Sequence, residues 1–207
     1  MKEYVRFIIG KYGGEVLKRD YIEDTLARLG VSSSKIYYML SRKYILRTLR
    51  GYFYIRTFDE ISRNTMPNIY HVISETMKQI TINWFFGLYT ALMFNKLTYE
   101  YFTTYYIIND KLYRPKEIDI IGHKVRIIKF SKKLFGFGII NKNSVKYSDA
   151  ERTILDMAYW MRYRLTPTDI IIGTLKHYCN NIDREKINTY IGHYPRSLRV
   201  IIDEIIG

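Results

Sequence analysis

Between Gly30 and Phe58 stand Lys35, Arg42, Lys43, Arg47, Arg50 and Arg56, with no carboxylate among them. The chemistry open to such a block is neutralisation of phosphates, because closely spaced cations on a small unit displace the counterions of a polyanion. The rest of the chain does not share this bias. The first 58 residues hold 12 basic and 5 acidic groups, against 21 and 15 in the remaining 149, within a total charge of +13. Even scatter would describe a generally basic protein, whereas a one-sided block describes an electrostatic footprint.

Other residue types that do chemistry occur without the spacing that chemistry needs. Glu117-Ile118-Asp119 places two carboxylates on one side of a strand, which is half of a metal-binding pair. No Gly-Ser turn of a nucleotidyltransferase and no Glu-x-Lys of a nuclease core accompanies it. His71, His123, His177 and His193 are scattered and lack the H-E-x-x-H spacing. Phe135-Gly-Phe-Gly138 lacks the third glycine and the lysine of a phosphate loop and reads as a turn. Cys179 is the only cysteine and has no activating neighbour in sequence. These readings predict no enzyme, no metal and no cofactor. A metal-dependent nucleic-acid enzyme built on Glu117 and Asp119 is the weakest alternative.

Positioning the cations requires a particular order of elements. Val5, Phe7, Ile8 and Ile9 predict a first helix ended by Gly13-Gly14. Tyr21, Ile22, Thr25, Leu26 and Leu29 predict a second, ended by Gly30. Ser32 to Ser34 offer hydroxyls to the free N–H groups of a third helix, with Ile36, Met39 and Leu40 inward. Its outer face then carries Ser34, Lys35, Tyr37, Tyr38, Ser41 and Arg42, although the two tyrosines also read as half-buried packing residues. Two β-prone runs, Tyr44–Leu49 and Tyr52–Arg56, flank Arg50-Gly51 as a hairpin. The set predicts a winged helix-turn-helix, with Arg47, Arg50 and Arg56 toward a phosphate backbone.

The polar stretch around Phe58–Pro67 reads as a linker, giving a unit over residues 1–58, a linker over 59–69 and a larger α+β domain over 70–207. In that domain the pattern predicts helices after Asn68 and over Asn83–Asn95. Five short strands follow between Thr103 and Tyr147, and then a helical C-terminus begins at Asp149. Ser148 and Glu151 form an S-x-x-E capping box, Asp149 suits the helix dipole, and Arg152 and Asp156 are i, i+4 partners. A purely structural role explains all five residues.

Composition excludes further classes. One cysteine forms no internal disulfide, and neither the N-terminus nor the longest uncharged stretch, Gln79–Asn95, reads as a signal peptide or membrane span. The expected setting is cytoplasmic, without a membrane partner.

Two segments resemble a known family. Leu26-Ala-Arg-Leu-Gly30 through Arg47-Thr-Leu-Arg-Gly-Tyr-Phe-Tyr54 is similar to the winged helix of AbiEi-type antitoxins, the antitoxin half of AbiE, type IV toxin–antitoxin systems. Tyr147-Ser-Asp-Ala-Glu-Arg-Thr-Ile-Leu-Asp156 resembles the signature of that family's second domain. The Asn83–Thr98 segment also looks like a helix of that family, and the resemblance covers about residues 14–160.

The resemblance implies a non-enzymatic transcriptional autorepressor. Its winged helix would bind operator repeats in double-stranded DNA. Its second domain would counteract a nucleotidyltransferase-like toxin without requiring a direct complex. The DNA face carried over is Ser33, Ser34, Lys35, Tyr37, Tyr38 and Arg42 on the helix, with Arg47, Arg50 and Tyr52 on the wing. The second domain's motif is Ser148, Asp149, Glu151, Arg152 and Asp156. Two departures stand out: Lys43-Tyr44 occupies the place where the family often has glycine, and Met157 onward lacks its glycine-rich continuation. The alternative is a winged-helix regulator whose second domain senses a ligand or dimerises. Oligomeric state, operator and toxin are not encoded in these patterns, and the surplus charge of the second domain has no assigned partner.

Overall fold

The computed structural model describes residues 1–179 and 182–207. It is α+β: an N-terminal winged helix-turn-helix, a larger mixed α+β region and a helical C-terminus. Contacts divide the described chain into two units, Met1–Ile82 with Ile118–Lys124, and Asn83–Glu117 with Val125–Gly207.

The first unit runs α1 (Glu3–Tyr12), β1 (Val16–Lys18), α2 (Arg19–Arg28), α3 (Lys35–Ser41), β2 (Ile45–Leu49) and β3 (Tyr52–Ile55). The three strands form an antiparallel sheet in the order β1-β3-β2, with Val16 opposite Tyr54 and Ile45 opposite Ile55. Val5, Ile8, Ile22, Leu26, Ile36, Met39, Ile45 and Phe53 form its core. Helical spacing thus assigns the inward residues of all three helices, but Phe7, Tyr21 and Leu29 are exposed. The pattern did not show β1, because three residues (Val-Leu-Lys) are too short to establish a period.

Helices α2 and α3 end by the same device. After α2, Gly30 turns left-handed at φ +68°, the Gly30 N–H donates to Ala27 and the Val31 N–H donates to Leu26. After α3 the residue in the left-handed turn is Lys43 at φ +54°, with its N–H donating to Leu40 and that of Tyr44 donating to Met39. Both are Schellman closures. The departure from glycine at Lys43 therefore leaves the turn geometry intact and stores its strain in a Cβ-bearing residue.

The polar stretch after the wing is not an open tether. Thr57 and Glu60 close a reciprocal capping box on α4 (Phe58–Ser62): the Thr57 hydroxyl accepts from the Glu60 N–H, and the Glu60 carboxylate accepts from the Thr57 N–H. Helix α5 (Ile69–Lys78) follows, capped by Asn68 and lying against the three-stranded sheet, with Ile69, Val72, Ile73 and Met77 buried. His71 Nε2 is 2.7 Å from the Gly14 carbonyl. These ties place both helices in the first unit, which runs to Ile82.

The remaining strands are β4 (Trp84–Phe86), β5 (Thr104–Asn109), β6 (Ile118–Ile120), β7 (His123–Lys129), β8 (Ile139–Lys142) and β9 (Val145–Ser148), in the sheet order β6-β7-β5-β4-β9-β8. Ile121 and Gly122, both at positive φ, make the expected β6–β7 turn. The helices are α6 (Leu88–Phe94), α7 (Ala150–Tyr163), α8 (Thr168–Lys176), α9 (Arg184–Tyr190) and α10 (Ser197–Ile206).

The expectation for the longest apolar run fails. Asn83–Asn95 is not a single helix, since Trp84, Phe85 and Phe86 form the buried strand β4, antiparallel to β5 and parallel to β9. A strand covered on both faces reads as a continuous apolar run, which periodicity alone does not separate from a buried helix. The core of this unit joins Phe85, Leu88, Ile108, Ile154, Leu155, Leu175, Leu198 and Ile202. Among the described residues no helix is long and apolar enough to cross a membrane.

The left-handed lysine gives a test of the α3 closure. Lys43→Gly relieves about 1 kcal/mol of backbone strain and raises the thermal midpoint by about 2–4 °C in circular dichroism melts. Lys43→Val lowers the midpoint, because β-branching is poorly tolerated at positive φ.

Candidate nucleic-acid interface

Helix α3 places its chemistry by facing Ile36 and Met39 inward. On the outside, Ser33, Ser34, Tyr37 and Arg42 are exposed and Lys35 is half-buried. The serine side chain that accepts a main-chain bond here is Ser32, whose hydroxyl accepts from the Ser34 N–H at 3.3 Å, and not Ser34 at the helix start. Ser34 is itself helical in φ and ψ and makes no side-chain cap, while its hydroxyl meets that of Ser32 at 2.9 Å. Main-chain bonds also close the turn, from the Lys35 N–H to Ser32 and from the Ile36 N–H to Ser33. Both Ser33 and Ser34 side chains are thereby left on the surface.

The two tyrosines divide. Tyr37 is 59% exposed, with the Arg19 guanidinium 5.7 Å from its ring and donating to its hydroxyl at 3.4 Å. Tyr38 packs inward against the Tyr44 ring, 6.2 Å away, with the Lys2 ammonium 4.9 Å from its own ring.

On the wing Arg47 and Arg50 are exposed, and Tyr52 is half-buried in the central strand with Leu49 on one side and Lys18 on the other. Lys35, Arg42, Arg47 and Arg50 engage in no ion pair among the described residues, where the pairs of this unit are Arg19–Glu23, Arg63–Asp59 and Lys78–Glu75.

Arg56 departs from the expectation. It is only 5% exposed, and its guanidinium donates to the carbonyls of Lys43 at 3.1 Å and of Glu60 and Thr65 at 2.6 Å. It ties the end of the wing to α4, and burial withdraws it from the surface where it was expected. Sequence reasoning also passed over Lys18 and Arg19. Lys18 lies beside Tyr52 through β1, a strand that local pattern did not reveal, and the Arg19 N–H donates to the Gly51 carbonyl of the hairpin turn at 2.8 Å.

The second unit's motif forms a buried clasp. Arg152 is fully buried with Nε 3.2 Å from Asp156, and its two terminal nitrogens donate to the carbonyls of Phe137 and Leu134. Its guanidinium lies 4.3 Å from the Phe85 ring centroid and 4.4 Å from that of Phe137. Asp156 also accepts from the Tyr194 hydroxyl at 2.7 Å. Burial pushes the Asp156 carboxyl up, and the Arg152 charge and the Tyr194 hydrogen bond pull it back.

The predicted Ser148–Glu151 capping box is replaced by another arrangement. Asp149 is the N-cap, accepting from the Arg152 N–H at 2.9 Å. Ser148 instead bonds the Thr153 hydroxyl at 2.8 Å. Glu151 accepts from the Asp183 N–H and the Lys186 ammonium. Burial works against that ammonium, yet Asp149 and Glu151 hold its pKa above the ordinary lysine range. The sequence read Ser148 as the cap because serine and aspartate are equally good N-caps, and a one-residue shift cannot be seen locally. Gly138 admits the clasp: a Cβ there would sit 2.9 Å from the Arg152 side chain.

The candidates for other chemistry are otherwise engaged. Glu117 approaches Arg126 at 3.9 Å, and Asp119 accepts from the Gly122 N–H in the hairpin turn. Among the described residues no three His, Cys, Asp or Glu side chains are grouped to hold a metal. Cys179 lies just beyond α8, and burial pushes its thiol up to about 11.

Comparison with known proteins adds a likeness of fold. No family model matches the chain, and no curated protein does. Among solved structures the fold is similar to that of the RV2827C protein from Mycobacterium tuberculosis. The TM-score is 0.59 at 9% identity, over 98% of this chain and 74% of that one. At that identity the likeness is one of fold.

Two measurements check the buried groups. Arg152→Met costs about 3–5 kcal/mol in urea denaturation, and combining it with Asp156→Leu recovers little, because two carbonyls stay unpaired. For Cys179, the thiolate is the nucleophile, so alkylation near neutral pH runs about 100-fold slower than for a free thiol. The rate then climbs about ten-fold per pH unit toward the raised pKa.

Proposed function

We propose that this protein is a DNA-binding antitoxin and transcriptional autorepressor of the AbiEi type, whose winged helix reads operator repeats in double-stranded DNA. The observation that carries the reading is the α3 and wing surface. There Lys35, Arg42, Arg47 and Arg50 lie on two adjoining elements without a carboxylate partner. Unpaired cations on a small unit gain the full counterion-release term on meeting phosphates, whereas paired ones must first give up their carboxylates. Ser33, Ser34 and Tyr37 add exposed hydroxyls that donate to phosphate oxygens or base edges.

The second unit, in this reading, counteracts a nucleotidyltransferase-like toxin in the cytoplasm without requiring a direct complex and without catalysis of its own. The resemblance of Tyr147–Asp156 to the family signature supports this, and the clasp gives that signature a physical purpose as the hub of the unit. A regulator with a ligand-binding second unit is the other reading. It is favoured by a cleft of about 630 Å3 between β7 and α7, a size typical of small-molecule sites.

The test is a gel shift with the DNA upstream of the protein's own reading frame. Lys35→Glu combined with Arg50→Glu abolishes the shift while circular dichroism stays native. The slope of log K against log salt flattens by about 2 in that variant. Unchanged binding at fixed salt would overturn the winged-helix reading of the surface.

A further inference from the structure

The cleft in the second unit is lined by Arg114, Arg126, Lys129 and Arg164 and, among the described residues, by no carboxylate. Its walls come from three places: the loop after β5, the end of β7, and the last turns of α7. The loop is held in shape by Asn109, a fully buried residue. Asn109 donates to the carbonyls of Leu112 and Ile128 and accepts from the N–H groups of Lys111 and Leu112. The Arg114 N–H further donates to the Ile127 carbonyl at 3.2 Å. Tyr113 and Arg114 are therefore carried on a fixed loop.

Aromatic surface faces these cations. Tyr159, Trp160, Tyr163 and Arg164 share one side of α7 at i, i+1, i+4 and i+5 spacing. Tyr163 is 77% exposed and Tyr113 58%, two large rings open to solvent at the rim. Below the rim the rings are braced. Tyr159 meets Phe130 edge-on at 5.1 Å, and Trp160 meets Tyr106 at 6.1 Å and Tyr89 at 6.5 Å. The Arg164 guanidinium lies 4.9 Å from the Trp160 ring. The basic character continues past the cleft into Lys132 and Lys133, both exposed and next in sequence to the lining residue Ser131.

We propose that this cleft binds a single-stranded stretch of nucleic acid. Bases stack on Tyr113, Trp160 and Tyr163, and phosphates lie on Arg114, Lys129 and Arg164. Cations alone would suit any polyanion. Exposed aromatic faces interleaved with them suit unstacked bases, which a duplex keeps hidden and an acidic peptide lacks. The cations beyond the cleft favour a strand over a lone nucleotide. Arg126 is partly held by Glu117, 3.9 Å away, which is the carboxylate that competes with the strand. The proposal assigns a partner to the surplus charge of the second unit and does not rest on the winged helix.

The experiment is fluorescence anisotropy of the full chain with a labelled oligouridylate of about 12 nucleotides and an oligothymidylate of equal length, across a salt series. Both should bind with a log–log salt slope of about −2 to −3. The ratio of their affinities tells RNA from DNA as the preferred strand. Tyr113→Ala with Tyr163→Ala, both on exposed side chains, weakens binding about ten-fold or more. Arg114→Glu with Lys129→Glu does the same and flattens the salt slope, while Glu117→Gln strengthens binding.

Lys35→Glu with Arg50→Glu leaves strand binding intact although it removes the duplex shift, so the two sites fail separately. Three results would each overturn the proposal. One is an absence of strand binding at low salt. Another is binding that the aromatic double variant does not change. The third is equally good competition by uridine monophosphate.

Discussion

A guanidinium without solvent is the constraint around which the second unit is arranged. Arg152 is fully buried, so its charge and donors must be met inside the protein. Asp156 meets the charge, the carbonyls of Leu134 and Phe137 meet the terminal nitrogens, and aromatic rings cover its faces. Those partners come from α7, from the segment leading into β8 and from β4. Asp156 draws in Tyr194 between α9 and α10, and Asp149 draws in Tyr190 and Lys186. Removing water from one arginine thus couples a sheet edge to the C-terminal helices. A buried charge tolerates few alternative arrangements, so the clasp specifies geometry as well as holding it.

The first unit handles its arginines in the opposite way. Arg56 is turned inward onto three carbonyls, while Arg47 and Arg50, a few residues away on the same hairpin, remain in water. Strand direction and the α4 capping box decide which is which. Arg56 lies where the chain leaves β3 for Thr57, and the carbonyls of α4 and of Lys43 converge there. The outward cations keep their full electrostatic reach. The proposed DNA surface therefore depends on the one arginine that does not take part in it, because Arg56 fixes the wing against the helix that follows.

The surplus charge also separates into two physical situations. On α3 and the wing, cations stand on convex elements beside hydroxyls, which suits the groove and backbone of a duplex. In the second unit the cations line a concavity among aromatic rings, which suits bases that have left a stack. Equal net charge would serve either surface, and shape distinguishes them.

Much of this architecture was legible in the chain itself. Helical spacing at Ile22, Leu26, Ile36 and Met39, the Arg50-Gly51 turn, the β-prone runs from Thr103 to Tyr147 and the helical C-terminus follow from local periodicity and turn chemistry, which act within a few residues. The block of cations from Gly30 to Phe58 needed only composition. Long-range placement decided the rest. Trp84–Phe86 is a strand because β5 and β9 close on both its edges. Ser148 yields the cap to Asp149 because its hydroxyl is taken by Thr153. Arg56 turns inward because carbonyls distant in sequence meet around it. The cleft exists because Asn109 holds Tyr113 and Arg114 opposite α7. In each case a backbone or polar group had to be satisfied by a partner far along the chain, and no local pattern records that requirement.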